Sequence, residues 1–294
     1  MGFYLMLIAS ALLTSVDFVC NKLYQMRCGA SLQSSLKFNM VLGMFSAVIF
    51  FCIGGFRIEF TLFSALASLI MTATAIAYVI IGFVILSKGR MAYYSFFRMS
   101  GSMLIPYVWG LFALGEAFSP MRTVGIVLIL LSAVLLYTDG GGMRLGLVGM
   151  LIVVFFLAGT VSVISKLHAI SPMAVSPMGY VVLTSLTKPL LCAPILAVLH
   201  TAKKKTEVRE QRSAGRAGVV TAVLIFVSAL ITGIAYILQL HSAAELPATV
   251  VYPIVTGGSI IFTMLAGWLF FHEKLNRKML AAVGISFLGT CLFL

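Results

Sequence analysis

The sequence predicts an all-helical integral membrane protein with ten transmembrane helices, arranged as two inverted five-helix repeats. Of the 294 residues, 61% are hydrophobic and only 10% are charged, and a soluble protein of that composition could not cover its surface with polar groups. The apolar residues fall into ten stretches of about 20 residues, the length that a bilayer-spanning helix needs. The sequence shows no alternating short strands of the kind found in membrane barrels, so helices must satisfy the backbone hydrogen bonds in lipid.

Charged and Gly/Pro-rich breaks separate the first five spans, which are predicted at residues 3–24, 34–54, 60–86, 91–114 and 121–138. Span 1 begins almost at the first residue without a basic region or a small-residue cleavage site, so we expect a retained span and not a signal peptide. The breaks that follow spans 1 to 4 contain, in order, Arg27, Arg57, Lys88 with Arg90, and Gly115-Glu116, and Lys37 lies near the start of span 2.

The second five spans are predicted at residues 145–167, 173–199, 217–241, 247–271 and 277–294. A glycine-rich segment that starts at Asp139 joins the two halves, which gives a first repeat over residues 1–139 and a second over residues 145–294. The longest polar stretch of the chain runs from His200 to Arg216 between spans 7 and 8.

Two short patterns recur between the halves. Span 1 ends in Cys-Asn-Lys-Leu at residues 20–23, and span 6 ends in Ile-Ser-Lys-Leu at residues 164–167. Span 4 closes with Trp-Gly-Leu-Phe-Ala-Leu-Gly-Glu at residues 109–116, and span 9 closes with Gly-Trp-Leu-Phe-Phe-His-Glu at residues 267–273. Because each repeat has an odd number of spans, the two repeats enter the membrane in opposite directions. This predicts an inverted repeat with a binding site near the midplane.

Ten spans in two five-helix halves, with apolar spans that close in Gly115-Glu116 and His272-Glu273, resemble the EamA-type transporters of the drug/metabolite transporter superfamily. The resemblance covers the whole chain. It implies a carrier with a central cavity formed by spans 1–4 and 6–9, with spans 5 and 10 at the periphery. It implies no particular substrate, since relatives carry amino acids, amines, nucleotide sugars and sugar phosphates. His272 departs from the pattern where the first half has Gly115.

Three ionisable residues lie well inside predicted spans, away from the span ends: Asp17 in span 1, Arg98 in span 4 and Lys188 in span 7. An ionisable group at membrane depth is costly and usually faces a polar cavity or a transport path. Three such charges cost less when they share water and each other than when each is solvated separately. We therefore expect them to converge on one central cavity.

Each of these charges has more than one interpretation. Arg98, about two turns into span 4, either anchors an acidic group of the substrate or extends its long stem to the nearby cytoplasmic surface. Lys188 precedes the helix-kinking Pro189 and either faces the cavity or pairs with an acid on another helix. Asp17 carries a coupling proton, attracts an amine, or pairs with Lys188 or Arg98.

Other polar side chains within the spans complete the predicted cavity. A buried tyrosine hydroxyl needs a partner, and hydroxyl or amide groups in a membrane either bond neighbouring helices or contact a ligand. As a set, they suggest a mixed aromatic and polar cavity that suits a small amphipathic metabolite. These residues are Asn21, Asn39, Tyr78, Tyr94, Tyr180, Tyr236, Gln239, Tyr252, Thr256 and Ser259.

Four charged residues near span ends are interpreted as structural. Glu116 and Glu273 lie beside the start of the following helix, where a carboxylate favours the positive end of the helix dipole. Lys22 and Lys166 end spans 1 and 6, and we predict that both are interfacial anchors.

The net charge of +12 is concentrated in the odd-numbered connections, most strongly between His200 and Arg216. Cytoplasmic loops carry the excess of Lys and Arg. The odd-numbered loops are therefore expected inside and both termini outside, in the plasma (inner) membrane of the cell.

The sequence predicts a secondary active transporter and not an enzyme. It contains no P-loop, dinucleotide fingerprint, catalytic triad order or metal-ligand spacing, so no cofactor or metal is expected and uphill transport must use a gradient. The expected substrate is a small polar or amphipathic metabolite, amino-acid-like or an organic anion, moved by alternating access. The expected partners are this substrate, the lipid bilayer and a candidate coupling proton, with no nucleic acid.

Two other classes of protein stay open at this point. A non-catalytic membrane subunit of a larger complex would leave Arg98 and Lys188 facing another protein. An integral-membrane transferase would show a cluster of catalytic residues at one membrane face.

Overall fold

The computed structural model describes residues 2–29, 31–86, 91–137, 145–204, 218–271 and 277–293. Over these ranges the chain is all-helical, with ten helices and no strand. The helices are α1 (Gly2–Cys28), α2 (Leu32–Ile53), α3 (Leu62–Leu86), α4 (Met91–Ala113), α5 (Pro120–Tyr137), α6 (Leu145–Ile170), α7 (Pro177–Lys204), α8 (Val219–Glu245), α9 (Ala248–Phe271) and α10 (Arg277–Cys291).

Each predicted span corresponds to one of these helices, and local chemistry explains several of their ends. The Ser31 side chain accepts a hydrogen bond from the Ser34 N–H and caps the start of α2. Ser176 accepts a hydrogen bond from the Gly179 N–H at 3.1 Å and caps α7 in the same way. Gly115 follows α4 with φ +65°, a left-handed conformation that glycine adopts without strain after a helix.

The surface of the bundle is suited to lipid. Seven of the described helices, α1 to α3 and α6 to α9, are long and apolar enough to cross a membrane. α5 and α10 each include a shorter apolar helical segment. Large apolar side chains point outward, with Phe112 86% exposed and Val219 80% exposed. Apolar exposure repeated around the bundle is expected where lipid replaces water. These features are those of a multi-pass membrane protein.

The helices of the first half pack mainly against those of the second half. α1 lies against α8 and α9, α2 against α7 and α8, α3 against α6 and α7, and α4 against α6 and α9. α5 pairs with α10. If α1 is exchanged with α6, α2 with α7, and so on to α5 with α10, the same set of major helix pairs between the halves is obtained. The core of the protein therefore forms between the halves.

Two glycines let these helices approach closely. A Cβ at Gly101 in α4 would lie 2.1 Å from the carbonyl oxygen of Phe155 in α6. A Cβ at Gly43 in α2 would lie 2.7 Å from the Ser185 carbonyl oxygen and 2.8 Å from the Lys188 Cβ in α7. Membrane helices associate through such small-residue contacts because lipid supplies no hydrophobic force between them.

Contacts between connections define one end of the bundle. Glu59, between α2 and α3, accepts a hydrogen bond of 2.6 Å from the Ser176 N–H, between α6 and α7. Glu116, after α4, contacts the start of α9, and Ser242 near the end of α8 donates to the Phe3 carbonyl at the start of α1. We call this the even-loop end, since it carries the connections after α2, α4, α6 and α8. The opposite end is the odd-loop end.

Candidate functional site

The three ionisable residues predicted to converge come from three helices to one region inside the bundle. Asp17 in α1 interacts electrostatically with Lys188 in α7 and with Arg98 in α4. The Ser228 hydroxyl in α8 donates a hydrogen bond to the Asp17 carboxylate. Thr232, one turn further along α8, lies beside the same carboxylate without a well-formed hydrogen bond. The carboxylate is thus bonded by α8 and interacts electrostatically with cations on α4 and α7.

The Arg98 guanidinium is held by aromatic residues. Its central carbon lies 5.1 Å from the centroid of the Tyr78 ring, in cation–π geometry. The hydroxyl groups of Tyr78 and Tyr94 are within hydrogen-bonding reach of the same guanidinium. Gly82 makes room for Tyr94, because a Cβ there would lie 2.3 Å from the Tyr94 ring. The Arg98 guanidinium therefore lies against Tyr78 of α3 and is close enough to Asp17 to interact with it electrostatically.

Lys188 lies about three turns, or about 16 Å, from the start of α7 at Pro177. The next residue, Pro189, cannot bond the Ser185 carbonyl, which is packed beside Gly43 of α2. Asp17, Arg98 and Lys188 are all half-buried. Charges inside a membrane protein usually face a polar cavity, other polar groups or one another.

Five other predicted cavity residues form no hydrogen bond with the three charges in the part of the chain that the structure describes. Asn21 accepts from the Gln25 side chain at 2.9 Å, and Asn39 donates to the Ser35 carbonyl at 2.9 Å. The Ser259 hydroxyl is buried without a hydrogen-bond partner. Gln239 in α8 and Thr256 in α9 are half-buried.

Three predicted cavity tyrosines form a second layer, nearer the even-loop end. Tyr180, Tyr236 and Tyr252 are close enough to interact electrostatically. Tyr236 donates to Ser165 at 3.1 Å, and Tyr252 donates to the Ser162 carbonyl at 2.6 Å. Their hydroxyl groups are bonded within the protein. We call these three residues the tyrosine layer.

The tyrosine layer lies about two helical turns, or about 12 Å, from the charged residues, both on α7 from Lys188 to Tyr180 and on α8 from Ser228 to Tyr236. Tyr180 is fully buried and stacks on the His168 ring, with centroids 3.5 Å apart. The structure therefore separates the predicted cavity residues into a charged group and an aromatic layer above it.

The structure corrects the prediction for Lys166. Its side chain is only 4% exposed, so it is not an interfacial anchor. The ammonium donates to the carbonyls of Ala243 at 2.6 Å and Leu246 at 2.7 Å, at the end of α8. α6 continues to Ile170, which places Lys166 one turn deeper than a span ending at residue 167. Lys22 is exposed, and its role as an anchor stays a prediction.

The structure also changes the partner of Glu116. Its carboxylate binds a helix N-terminus as expected, but the helix is α9 and not the following α5. The two oxygens accept hydrogen bonds from the N–H groups of Ala248 at 2.6 Å and Thr249 at 2.8 Å. The carboxylate folds back over Gly110, where a Cβ would lie 2.6 Å from it. Glu273 lies outside the described residues.

Sequence reasoning missed the contribution of α8 to the charged group. Ser228 and Thr232 lie one turn apart on the helix face that continues to Tyr236 and Gln239. This polar stripe in an otherwise apolar span is visible in the sequence, but single hydroxyls are common in membrane helices because they can bond their own backbone. Only the packing of α8 against α1 shows that the Ser228 hydroxyl donates a hydrogen bond to Asp17.

Comparisons with known proteins agree with this architecture. The family model described as the EamA-like transporter family matches residues 144–294, just over half of the chain. A solved structure described as "Crystal structure of protein" has a TM-score of 0.76 with this chain at 13% sequence identity, and the match covers 99% of this chain and 95% of that one. At that identity the likeness establishes the fold alone. No curated protein matches the chain.

Proposed function

Because the chain belongs to the EamA-like transporter family, within the drug/metabolite transporter superfamily, we propose that it is a secondary active transporter for a small polar or amphipathic metabolite. The family is one of transporters and not of enzymes. The observation that carries the proposal is the meeting of Asp17, Arg98 and Lys188 inside the bundle. Charges that face the interior of this chain suit a transported solute better than a neighbouring protein subunit.

The charges of this site favour an organic anion, including an amino-acid-like one. Two cations and one carboxylate give an excess of one positive charge when all three are ionised. Ser228 donates a hydrogen bond to Asp17 and both cations interact with it electrostatically, while the ring of Tyr78 covers one face of Arg98. The edge of a guanidinium carries donors that match a carboxylate or phosphate. An anion between Arg98 and Lys188 would neutralise the excess charge.

The substrate is sought with a thermal-shift screen of the detergent-purified protein against amino acids, amines, organic acids and phosphorylated metabolites. The proposal expects stabilisation by one class of anions and none by simple amines, because binding to the folded state alone raises its stability. Stabilisation by amines alone would assign the site to Asp17 and overturn the anion proposal.

Alternating access by two inverted repeats, residues 1–139 and 145–294, completes the proposed mechanism. Its support is the set of helix pairs, in which α1 with α8 corresponds to α3 with α6, and α1 with α9 to α4 with α6. α2 with α7, α4 with α9 and α5 with α10 each correspond to themselves. A two-fold relation between the halves has this property, and such a relation allows one site to open to either side of the membrane.

We propose that the even-loop end and both termini face outward across the plasma membrane, because the Lys/Arg excess lies in the odd-numbered connections. A cysteine introduced between His200 and Arg216 is expected to resist an impermeant thiol reagent in intact cells and to react after permeabilisation. A cysteine at exposed Arg57, in the α2–α3 connection, should react in intact cells. The reverse pattern at both positions would invert the orientation.

Asp17 is the proposed carrier of a coupling proton. It faces Arg98, Lys188 and Ser228 from three other helices, so a change in its charge alters the contacts of all of them. Asp17→Asn is expected to abolish uptake driven by a pH gradient while substrate exchange continues, since the amide keeps the shape but cannot ionise. The measurement compares both activities in proteoliposomes. Loss of exchange as well would contradict the coupling role and indicate a substrate contact or a structural ion pair.

A further inference from the structure

We propose that Lys166 and Glu116 form a latch that holds the even-loop end closed, and that this latch breaks once in each transport cycle. The latch consists of these two side chains and the backbone groups of Ala243, Leu246, Ala248 and Thr249, which they bind around the α8–α9 turn. The inference rests on the proposed function, because a closed end needs to open only in a transporter.

The two side chains bind opposite ends of the same turn with matching charges. Lys166 places its ammonium on the carbonyls at the end of α8, where the helix dipole is negative. Glu116 places its carboxylate on the N–H groups at the start of α9, where the dipole is positive. Lys166 and Glu116 also attract each other across the turn. The turn is therefore tied to α6 by one contact and to α4 by the other.

The latch lies over a closed layer of the bundle. Below it, Tyr252 at the start of α9 is bonded to the Ser162 carbonyl, one turn before Lys166 in α6. A large apolar cluster at the same end joins residues of α1, α4, α5, α8 and α9, including Leu7, Met103 and Ile126. Residues nearer the odd-loop end fall into smaller clusters, such as one of Ile85, Tyr94 and Leu147 with their neighbours. A solute at Asp17 and Lys188 could not leave through the even-loop end without separating these contacts.

One helix links the latch to the charged site. α8 carries Ser228, which bonds Asp17, and the carbonyls of Ala243 and Leu246 at its far end receive Lys166. A helix moves as a rigid element over this length. A substrate or proton that changes the Ser228–Asp17 contact therefore acts on the latch through the position of α8.

Cysteine labelling in the closed layer tests the latch without any substrate. The reporter is Ser162→Cys, a buried position, in a background whose native cysteines Cys20, Cys28, Cys52, Cys192 and Cys291 are replaced by serine. The rate of reaction with N-ethylmaleimide is measured on purified protein. Lys166→Met and Glu116→Gln are each expected to raise the rate by about tenfold, because each removes a charged contact that holds a helix end.

Two control variants make the outcome specific. Lys166→Arg keeps a cation and donors and should leave the rate near that of the parent. Lys22→Met removes the lysine at the equivalent place of the first repeat and should not raise labelling. Unchanged rates in both Lys166→Met and Glu116→Gln would overturn the latch, as would an equal increase in Lys22→Met. If Lys166→Met does not fold, the isosteric Glu116→Gln decides alone. These results do not depend on substrate, so the latch can fail while the transporter proposal stands.

Discussion

Lys188→Met is expected to lower substrate uptake by at least about 30-fold while normal amounts of protein remain in the membrane, because a desolvated charge contact with a ligand is worth about 2–5 kcal/mol. Methionine has a similar length and is compatible with a helix, but it carries no charge. It leaves Asp17 and Arg98 to neutralise each other, so the excess positive charge that attracts the anion is lost. The measurement is uptake of the compound found in the thermal-shift screen, with membrane protein quantified in parallel.

The matched control is Lys37→Met, the same change at an exposed lysine of α2, which should transport normally. The double variant Asp17→Asn with Lys188→Met separates two roles. If Lys188 only neutralises Asp17, removing both charges should restore substrate exchange, and the pair is structural. If Lys188 binds substrate, exchange should stay low. Normal uptake by Lys188→Met alone would remove Lys188 from the site.

Arg98→Lys is expected to lower uptake by about ten- to a hundredfold, since a hydrogen bond to a charged group contributes about 1.5–3 kcal/mol and lysine loses part of that contact. The charge is preserved, but the ammonium lacks the planar fork and does not stack as guanidinium does on Tyr78. The effect should appear mainly as weaker apparent affinity for substrate. The measurement is the concentration dependence of uptake.

Arg57→Lys, at an exposed arginine of the α2–α3 connection, is the matched control and should be indistinguishable from the parent protein. An unchanged affinity in Arg98→Lys would show that Arg98 acts only as a point charge. It would then contradict bidentate recognition of the substrate by this residue.

The ten helices could be predicted from the sequence because the bilayer imposes a minimum apolar length on every span. The same cost of charge in lipid singled out Asp17, Arg98 and Lys188, and in the structure Asp17 is within electrostatic reach of both cations. The lipid bilayer therefore determines both the length of the apolar segments and the placement of charged residues inside the bundle. Whether the three residues bind substrate stays a prediction.

The partners of Lys166 and Glu116 could not be predicted in this way. Lys166 lies near a predicted span end, where an anchor and a buried helix cap have the same sequence pattern. Glu116 is close in sequence to α5 but binds α9, because packing of α4 against α9 decides which helix end it meets. The separation of the tyrosine layer from the charged group also depends on how the helices pack. Tyr180 and Tyr252 look like cavity residues in sequence, and only their depth in the bundle separates them from the charged group.

The central claim is that substrate binds where Asp17, Arg98 and Lys188 meet. Its most direct test is the thermal stability of purified parent protein, Lys188→Met and Lys37→Met, each with the anion selected by the screen at a hundredfold excess over its dissociation constant. The parent and Lys37→Met should each gain about 2.7 kcal/mol of stability, and Lys188→Met should gain almost none. An equal gain in all three proteins would place the binding site elsewhere and contradict the claim.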